Sequence, residues 1–107
     1  MHYRSIPGLD VEVSQLAFGG WLTLGDGVDD DDALRMLRVA CDAGVNMLDL
    51  ADVYAAGAAE RLVGRFLEQT DRERLVLSSK VFWPTSDDPR DRGLSRRHIH
   101  ASIDRVL

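Results

Sequence analysis

Three blocks of the same kind follow one another along the chain: a short apolar run, a polar or glycine-rich connection, and a stretch in which apolar residues return every three or four positions. The runs are "QLAFGGW" (Gln15 to Trp21), "VNMLDLA" (Val45 to Ala51) and "RLVLSSKVFW" (Arg74 to Trp83). Apolar and polar residues do not alternate strictly in them, so each predicts a strand that is apolar on both faces, as in a parallel sheet. The periodic stretches predict helices. Leu34, Leu37 and Cys41 share one face of the first, which Gly44 stops, and Leu62, Val63, Phe66 and Leu67 form a stripe on a second over residues 58 to 69. In the third, Ser95 is the natural N-cap and Ile99, Ile103 and Val106 mark the apolar side. Asp29 to Asp32 supply a cap and favourable charge at the start of the first helix; their order does not match a calcium loop. Ahead of these blocks, residues His2 to Ile6 and Val11 to Ser14 flank the turn "PGLD", which predicts a small hairpin acting as a lid or plug.

Composition narrows the class. At 107 residues the chain is one domain or a piece of one. Apolar residues make up 45% and charged residues 29%, a balance that predicts folding rather than disorder. With 13 basic against 18 acidic residues, the net charge of −5 argues against a nucleic-acid binder or a partner of anionic membranes. Cys41, the single cysteine, cannot form an internal disulfide and points to a reducing compartment. The start "MHYRSIPGLD" lacks the apolar core of a signal peptide, and no run approaches the length of a membrane span. The expectation is a cytoplasmic protein without membrane insertion. The final "SIDRVL" lies inside a helical pattern with no stop signal, so the chain reads as unfinished.

In parallel α/β proteins, function gathers at the C-terminal ends of the strands. The first run ends in Gly19-Gly20-Trp21, the second in Asp49 with Tyr54 just beyond, and the third in Lys80 followed by Phe82 and Trp83. A glycine pair lets a flat ligand approach the backbone, and the aromatic residues make pocket walls. Taken singly, Asp49 and Lys80 read as a structural ion pair and the aromatic residues as core; taken with Tyr54, they fit a proton-donating device. A free tyrosine has a pKa of about 10, so donation near neutral pH asks for a lowering by about three, or roughly 4 kcal/mol. A unit charge about 4 Å away contributes on the order of 4 kcal/mol at an effective dielectric of 20, but about 1 kcal/mol in water. Lys80 can therefore tune Tyr54 only in a walled, partly dry pocket, with Asp49 keeping the lysine charged and in place. His98 and His100, two apart on a helix, cannot face one point, so no metal site is expected. Neither a G-x-G-x-x-G fingerprint nor a phosphate-binding G-x-x-x-x-G-K-[ST] loop is present.

The stretches "YRSIPGLDVEVSQLAFGGW", "AGVNMLDLADVYAAGAAERLVGRFL", "LVLSSKVFW" and "RGLSRRHI" resemble the N-terminal part of the aldo-keto reductases. The similarity is closest to the branch that includes voltage-gated potassium channel β-subunits and their bacterial relatives. It implies a (β/α)8 TIM barrel that binds NADP(H) and reduces aldehydes or ketones through a tetrad of Asp, Tyr, Lys and His. Three members match: Asp49, Tyr54 as proton donor, and Lys80. The fourth would lie on a later strand, beyond Leu107, and in the channel branch it is commonly asparagine. The resemblance further implies cofactor contacts from Gly20, Trp21 and Asp49, and a substrate pocket of Trp21, Tyr54, Phe82 and Trp83. Gly27 falls where channel subunits carry a cofactor-contacting glutamine.

On this reading, residues 1–107 form a partial barrel domain, with the hairpin in 1–14 and βα units in 15–107. A complete barrel takes about 250 residues, so three strands leave open edges and an uncovered apolar face. That predicts marginal stability or a homo-oligomer unless the remainder is supplied. The expected function is reduction of a small carbonyl substrate by the full-length protein, the 107-residue chain being inactive alone. The alternative is a redox-sensing, channel-subunit-like interaction protein with little turnover.

Overall fold

The computed structural model describes residues 1–106, and the side chain of Val106 lies outside that description along with Leu107. Strands β1 (Tyr3–Ser5) and β2 (Glu12–Ser14) pair antiparallel as the hairpin. Three βα units follow: β3 (Ala17–Gly19) with α1 (Asp30–Asp42), β4 (Met47–Asp49) with α2 (Ala58–Leu67), and β5 (Val76–Ser78) with α3 (Arg96–Val106). The strands form one parallel sheet in the order β3-β4-β5, with Ala17, Met47 and Val76 in register at one end and Gly19, Asp49 and Ser78 at the other. Among the described residues no helix is long and apolar enough to cross a membrane.

Local chemistry sets the element ends. The Asp29 carboxylate accepts from the Asp31 backbone N–H at 3.0 Å and caps α1, while Asp30, Asp31 and Asp32 fill its first turn. Gly44 then turns the chain at φ +93°, and its carbonyl accepts from the Tyr3 hydroxyl at 2.8 Å. Asn46 completes the attachment of the hairpin: its side chain accepts from Ser14 N–H at 2.7 Å and donates to the Glu12 carbonyl at 2.9 Å. The plug is thereby tied to the N-terminal end of β4, opposite the strand ends that carry the polar residues.

The core lies between the sheet and the first two helices. Ala33 and Leu37 of α1, Leu62, Val63 and Phe66 of α2, and Leu48 and Leu50 around β4 form one buried cluster with Leu24 and Leu75. Phe18, Leu48 and Leu77 are in register and all join that cluster, so one sheet face packs on helices. The other face is barer than a buried parallel sheet requires. Ala17 and Gly19 on it are exposed and Met47, Asp49, Val76 and Ser78 are only half-buried. The strands are three residues each, shorter than the apolar runs, since pairing stops where the polar connections begin.

Helix α3 departs from the predicted face. Its buried residues are His98 and Ser102, both fully buried, whereas Ile99 is half-buried and Ile103 is 46% exposed. The element beneath α3 is the polar β4–α2 connection, where Asp52 accepts from the Ser102 hydroxyl at 3.1 Å, so a polar stripe faces inward. Ser95 caps α3 as expected, accepting from the His98 backbone N–H at 3.2 Å. A short 3-10 turn, Arg72–Arg74, has no counterpart in the hydropathy pattern; Asp71 caps it.

Candidate active site

Asp49 is the last residue of β4 and stands in register with Ser78, the last of β5. Side chains alternate along a strand, so Ser78 and Lys80 leave β5 on the side where Asp49 points. The Ser78 hydroxyl donates to Asp49 Oδ1 at 2.7 Å, and Lys80 Nζ lies 2.8 Å from both Asp49 oxygens. The same ammonium donates to the Leu50 carbonyl at 2.8 Å and reaches the Tyr54 hydroxyl at 3.2 Å, with its nitrogen 5.0 Å from the Tyr54 ring centre. Asp49, Tyr54 and Lys80 thus converge on one point.

A backbone device delivers Tyr54 there. Ala55, Ala56 and Gly57 all lie in the left-handed region, at φ +49°, +51° and +82°, forming a turn between Tyr54 and the start of α2. Alanine reaches this region only at a cost. The turn is anchored by the Tyr54 N–H to the Ala51 carbonyl at 3.1 Å, and the Asp52 N–H donates to the Lys80 carbonyl at 3.2 Å. The two strand exits that carry the site are therefore joined through backbone as well as through the ion pair.

Electrostatics follow the contacts. Hydrogen bonds from Lys80 and then Ser78 hold the Asp49 carboxyl below the usual carboxylate range. Burial works against the Lys80 charge, but its bonds to Asp49 and Tyr54 outweigh that and raise its pKa. Half of the Lys80 side chain is exposed, at 51%, and Asp49 at 40%, so water screens the pair on one side.

The polar group borders a cleft of about 720 Å³ lined by Trp21, Leu22, Tyr54, Phe82 and Trp83 over a floor of Leu24 and Ala51. The Trp21 and Tyr54 rings are stacked at 20° with centres 6.4 Å apart, and Phe82 meets Trp83 edge to face at 5.5 Å. Gly20 is not in the lining. A Cβ there would come within 2.8 Å of Leu50 Cδ2 and 3.3 Å of Leu24 Cδ1, so the close packing beneath the cleft accounts for this glycine. Gly27 lies in the lining, where a Cβ would stand 1.8 Å from the Leu22 carbonyl oxygen. In this loop conformation the residue must be glycine. His98 and His100 face apart, one fully buried and the other exposed, and no cluster of metal-ligating side chains occurs among the described residues.

Sequence reasoning missed Ser78, the Leu50 carbonyl and Asp52. Ser78 was accessible from the two-residue period that places it on the face of Lys80, and Asp52 stood in plain view as the second acid of "DLADVY". The Leu50 carbonyl carries no side-chain signal.

Comparison with known proteins fits this geometry. The model of the Aldo/keto reductase family matches residues 15–107. Two curated relatives, each described as a probable voltage-gated potassium channel subunit beta, are 41% identical in Oryza sativa subsp. japonica and 40% identical in Arabidopsis thaliana. Each match runs over 101 residues, covering 92% of this chain and 30% of the relative, so the chain spans less than a third of their length. A thermostable aldo-keto reductase crystallised with the inhibitor epalrestat superposes with a TM-score of 0.81 at 28% identity, covering all of this chain and 38% of that one. The holo form of an aldo-keto reductase from Bacillus halodurans gives 0.78 at 28% identity, over 99% of this chain and 36% of the other. The three βα units and plug hairpin are those of the aldo-keto reductase barrel, and the chain belongs to the aldo/keto reductase family.

Proposed function

We propose that this chain carries the proton-donating corner of an NADP(H)-dependent reductase acting on a small aldehyde or ketone, and that Asp49, Tyr54 and Lys80 are its catalytic group. The observation that supports this is the position of Lys80 Nζ, 2.8 Å from both Asp49 oxygens and 3.2 Å from the Tyr54 hydroxyl. When bound, the reduced nicotinamide supplies a hydride to the carbonyl carbon. Tyr54 gives its hydroxyl proton to the carbonyl oxygen, and Lys80 stabilises the phenolate left behind. At a separation of 3.2 Å, that attraction is about 5 kcal/mol at an effective dielectric of 20 and about 1 kcal/mol in water. The half-exposed pair of this chain lies toward the watery end. Walls supplied around the cleft by the rest of a barrel strengthen it, so the full-length protein is the active form and the 107-residue chain is silent alone.

The cleft fits one end of the cofactor. Trp21, Tyr54 and the apolar floor offer flat surfaces to a nicotinamide ring, with Gly20 packed beneath, while Asp49 is outside the lining and bonds to Lys80, which lines it. Among the described residues lining the cleft the only cationic side chain is Lys80, and its ammonium is already engaged by Asp49, the Leu50 carbonyl and Tyr54. Phe82 and Trp83 form the outer wall on which an apolar substrate rests. In keeping with the sequence, we place the protein in the cytoplasm.

The test is NADPH oxidation by the full-length protein against a panel of aldehydes and ketones. Tyr54→Phe is expected to lower kcat by about a hundredfold or more while NADPH still binds. A loss smaller than about tenfold would sink the assignment of Tyr54. Micromolar NADPH affinity in the 107-residue chain, measured by fluorescence titration, would overturn its proposed silence. The relatives named as channel subunits favour a second reading, a redox-sensing partner of a membrane protein with little turnover. A tetramer that binds NADPH and barely oxidises it would select that reading; a rapidly turning-over monomer would exclude it.

A further inference from the structure

A buried polar seam connects the site to α3. Ser102 is fully buried and donates to Asp52 Oδ2 at 3.1 Å; Asp52 is 8% exposed, and its other oxygen has no partner among the described residues. The Arg105 guanidinium donates to the Ser102 hydroxyl at 2.9 Å and to the Thr85 hydroxyl at 3.2 Å. The Ser102 hydroxyl and the Arg105 guanidinium, both on α3, thus tie that helix to the connection that carries Tyr54 and to the loop that follows Trp83. Asp52 is also the residue whose N–H donates to the Lys80 carbonyl, and it sits inside the turn closed by the Tyr54 N–H on the Ala51 carbonyl.

We propose that Ser102 is a positioning residue which, through Asp52, holds the Tyr54 turn against Lys80. The dependence is steep because the Asp52 carboxylate has one described partner. Removing the Ser102 hydroxyl leaves a nearly buried carboxylate with none, and a charged group in that position moves toward water. Asp52 is two residues from Tyr54 on a connection strained by left-handed alanines, so its displacement carries the phenol with it. Tyr54 stands 3.2 Å from Lys80 Nζ, and a shift of about an ångström breaks that contact. Beyond its packing on Trp21 and the core, the Tyr54 turn is held by hydrogen bonds to Lys80 and by the Asp52–Ser102 bond, and the last of these is the one that reaches α3. The inference rests on the reductase reading for its kinetic consequence, while the mechanical part stands apart from it.

The experiment uses the full-length protein and four variants: Ser102→Ala, Ser102→Thr, Asp52→Ala and the Ser102→Ala/Asp52→Ala pair. Ser102→Ala is expected to lower kcat about tenfold with KM within about threefold, since misplacing a reacting group affects the chemical step more than binding. Ser102→Thr, which keeps the hydroxyl, restores kcat, and the double variant is no worse than Asp52→Ala alone, as two residues acting through one contact require. Amide hydrogen exchange supplies a readout independent of turnover. In Ser102→Ala, residues 51 to 57 exchange faster while α1 and the core of α2 keep the parent rates. Unchanged kcat and unchanged exchange at 51 to 57 would overturn the proposal. So would a uniform acceleration across all helices without rescue by threonine, which marks a residue that only supports the fold. If the parent protein oxidises no NADPH with any carbonyl, the reductase reading fails, and exchange at 51 to 57 still decides whether Ser102 holds the turn.

Discussion

Replacing Ala56 with glycine tests the turn that presents Tyr54. Ala55 and Ala56 adopt φ, ψ of 49°, 41° and 51°, 43°, both in the left-handed helical region. An L-residue there costs about 1–2 kcal/mol relative to its right-handed alternative. Glycine removes that cost and adds roughly 0.5–1 kcal/mol of unfolded-chain entropy in opposition. Ala56 is exposed, so its methyl group takes little packing with it. The net gain is about 0.5–1 kcal/mol, which for a chain of this size raises the thermal midpoint by roughly 2–8 °C. The assay is thermal unfolding followed by circular dichroism, with Gly57→Ala as the mirror control. Gly57 lies at φ +82°, and a Cβ there would press on nothing closer than the tip of the Arg61 side chain at 3.1 Å, with the Asp52 carbonyl at an ordinary 3.7 Å, so strain rather than collision sets the outcome. That variant is expected to lose about 1 kcal/mol. A lower midpoint for Ala56→Gly, or no effect of Gly57→Ala, refutes the left-handed turn and with it the account of how Tyr54 is aimed.

Three further outcomes follow from the same geometry. Gly20→Ala forces a methyl group to within 2.8 Å of Leu50 Cδ2 and is expected to cost about 1–3 kcal/mol in urea unfolding; a neutral result means the floor of the cleft is loosely packed. Gly27→Gln cannot keep the present loop, because its Cβ would lie 1.8 Å from the Leu22 carbonyl, so Trp21 emission measured in a Trp83→Phe background should shift. An unchanged spectrum would show that the loop tolerates a side chain there. The Asp49–Lys80 pair gives a pH signature of defined sign. Asp49 titrates below its unfolded value, so its contribution is complete above the ordinary carboxylate range and is lost as pH falls through the depressed pKa; Lys80 titrates above its unfolded value, so its share is complete below that value and is lost as pH rises through the elevated one. Exposure limits the pair to about 1 kcal/mol or less, and a stability profile of Asp49→Asn that parallels the parent at both extremes would remove it.

The strand and helix order was legible because apolar periodicity records where a chain meets a core. Leu37, Leu48, Leu62 and Phe66 are buried where the periods place them. The convergence of Asp49, Tyr54 and Lys80 was legible for a different reason: they are polar residues at strand exits, where a loop has no structural need of them. Helix α3 was misread because it packs on a carboxylate. A hydropathy period sees Ile99 and Ile103 and is blind to His98 and Ser102; the burial of Ser102 depends on Asp52, some fifty residues earlier. Gly20 reads in the sequence as room for a ligand and Gly27 as a missing cofactor contact, while the structure shows side-chain and backbone neighbours that would collide with a Cβ at each. Tertiary proximity of that kind leaves no mark on the sequence.

Lys80 is the chain's only lysine, the other twelve basic residues being arginine. Its ammonium has three protons, and Asp49, the Leu50 carbonyl and Tyr54 offer an acceptor for each. The chain therefore has a single ε-amine, and the site holds it. An acylating reagent can take Lys80 only when the nitrogen leaves its three partners. The rate of that labelling reports the integrity of the site without substrate or cofactor. One acetyl group on this nitrogen would erase the positive charge beside Tyr54, and a lysine-specific protease has one bond to cut in this chain, just ahead of Phe82 and Trp83 in the cleft wall.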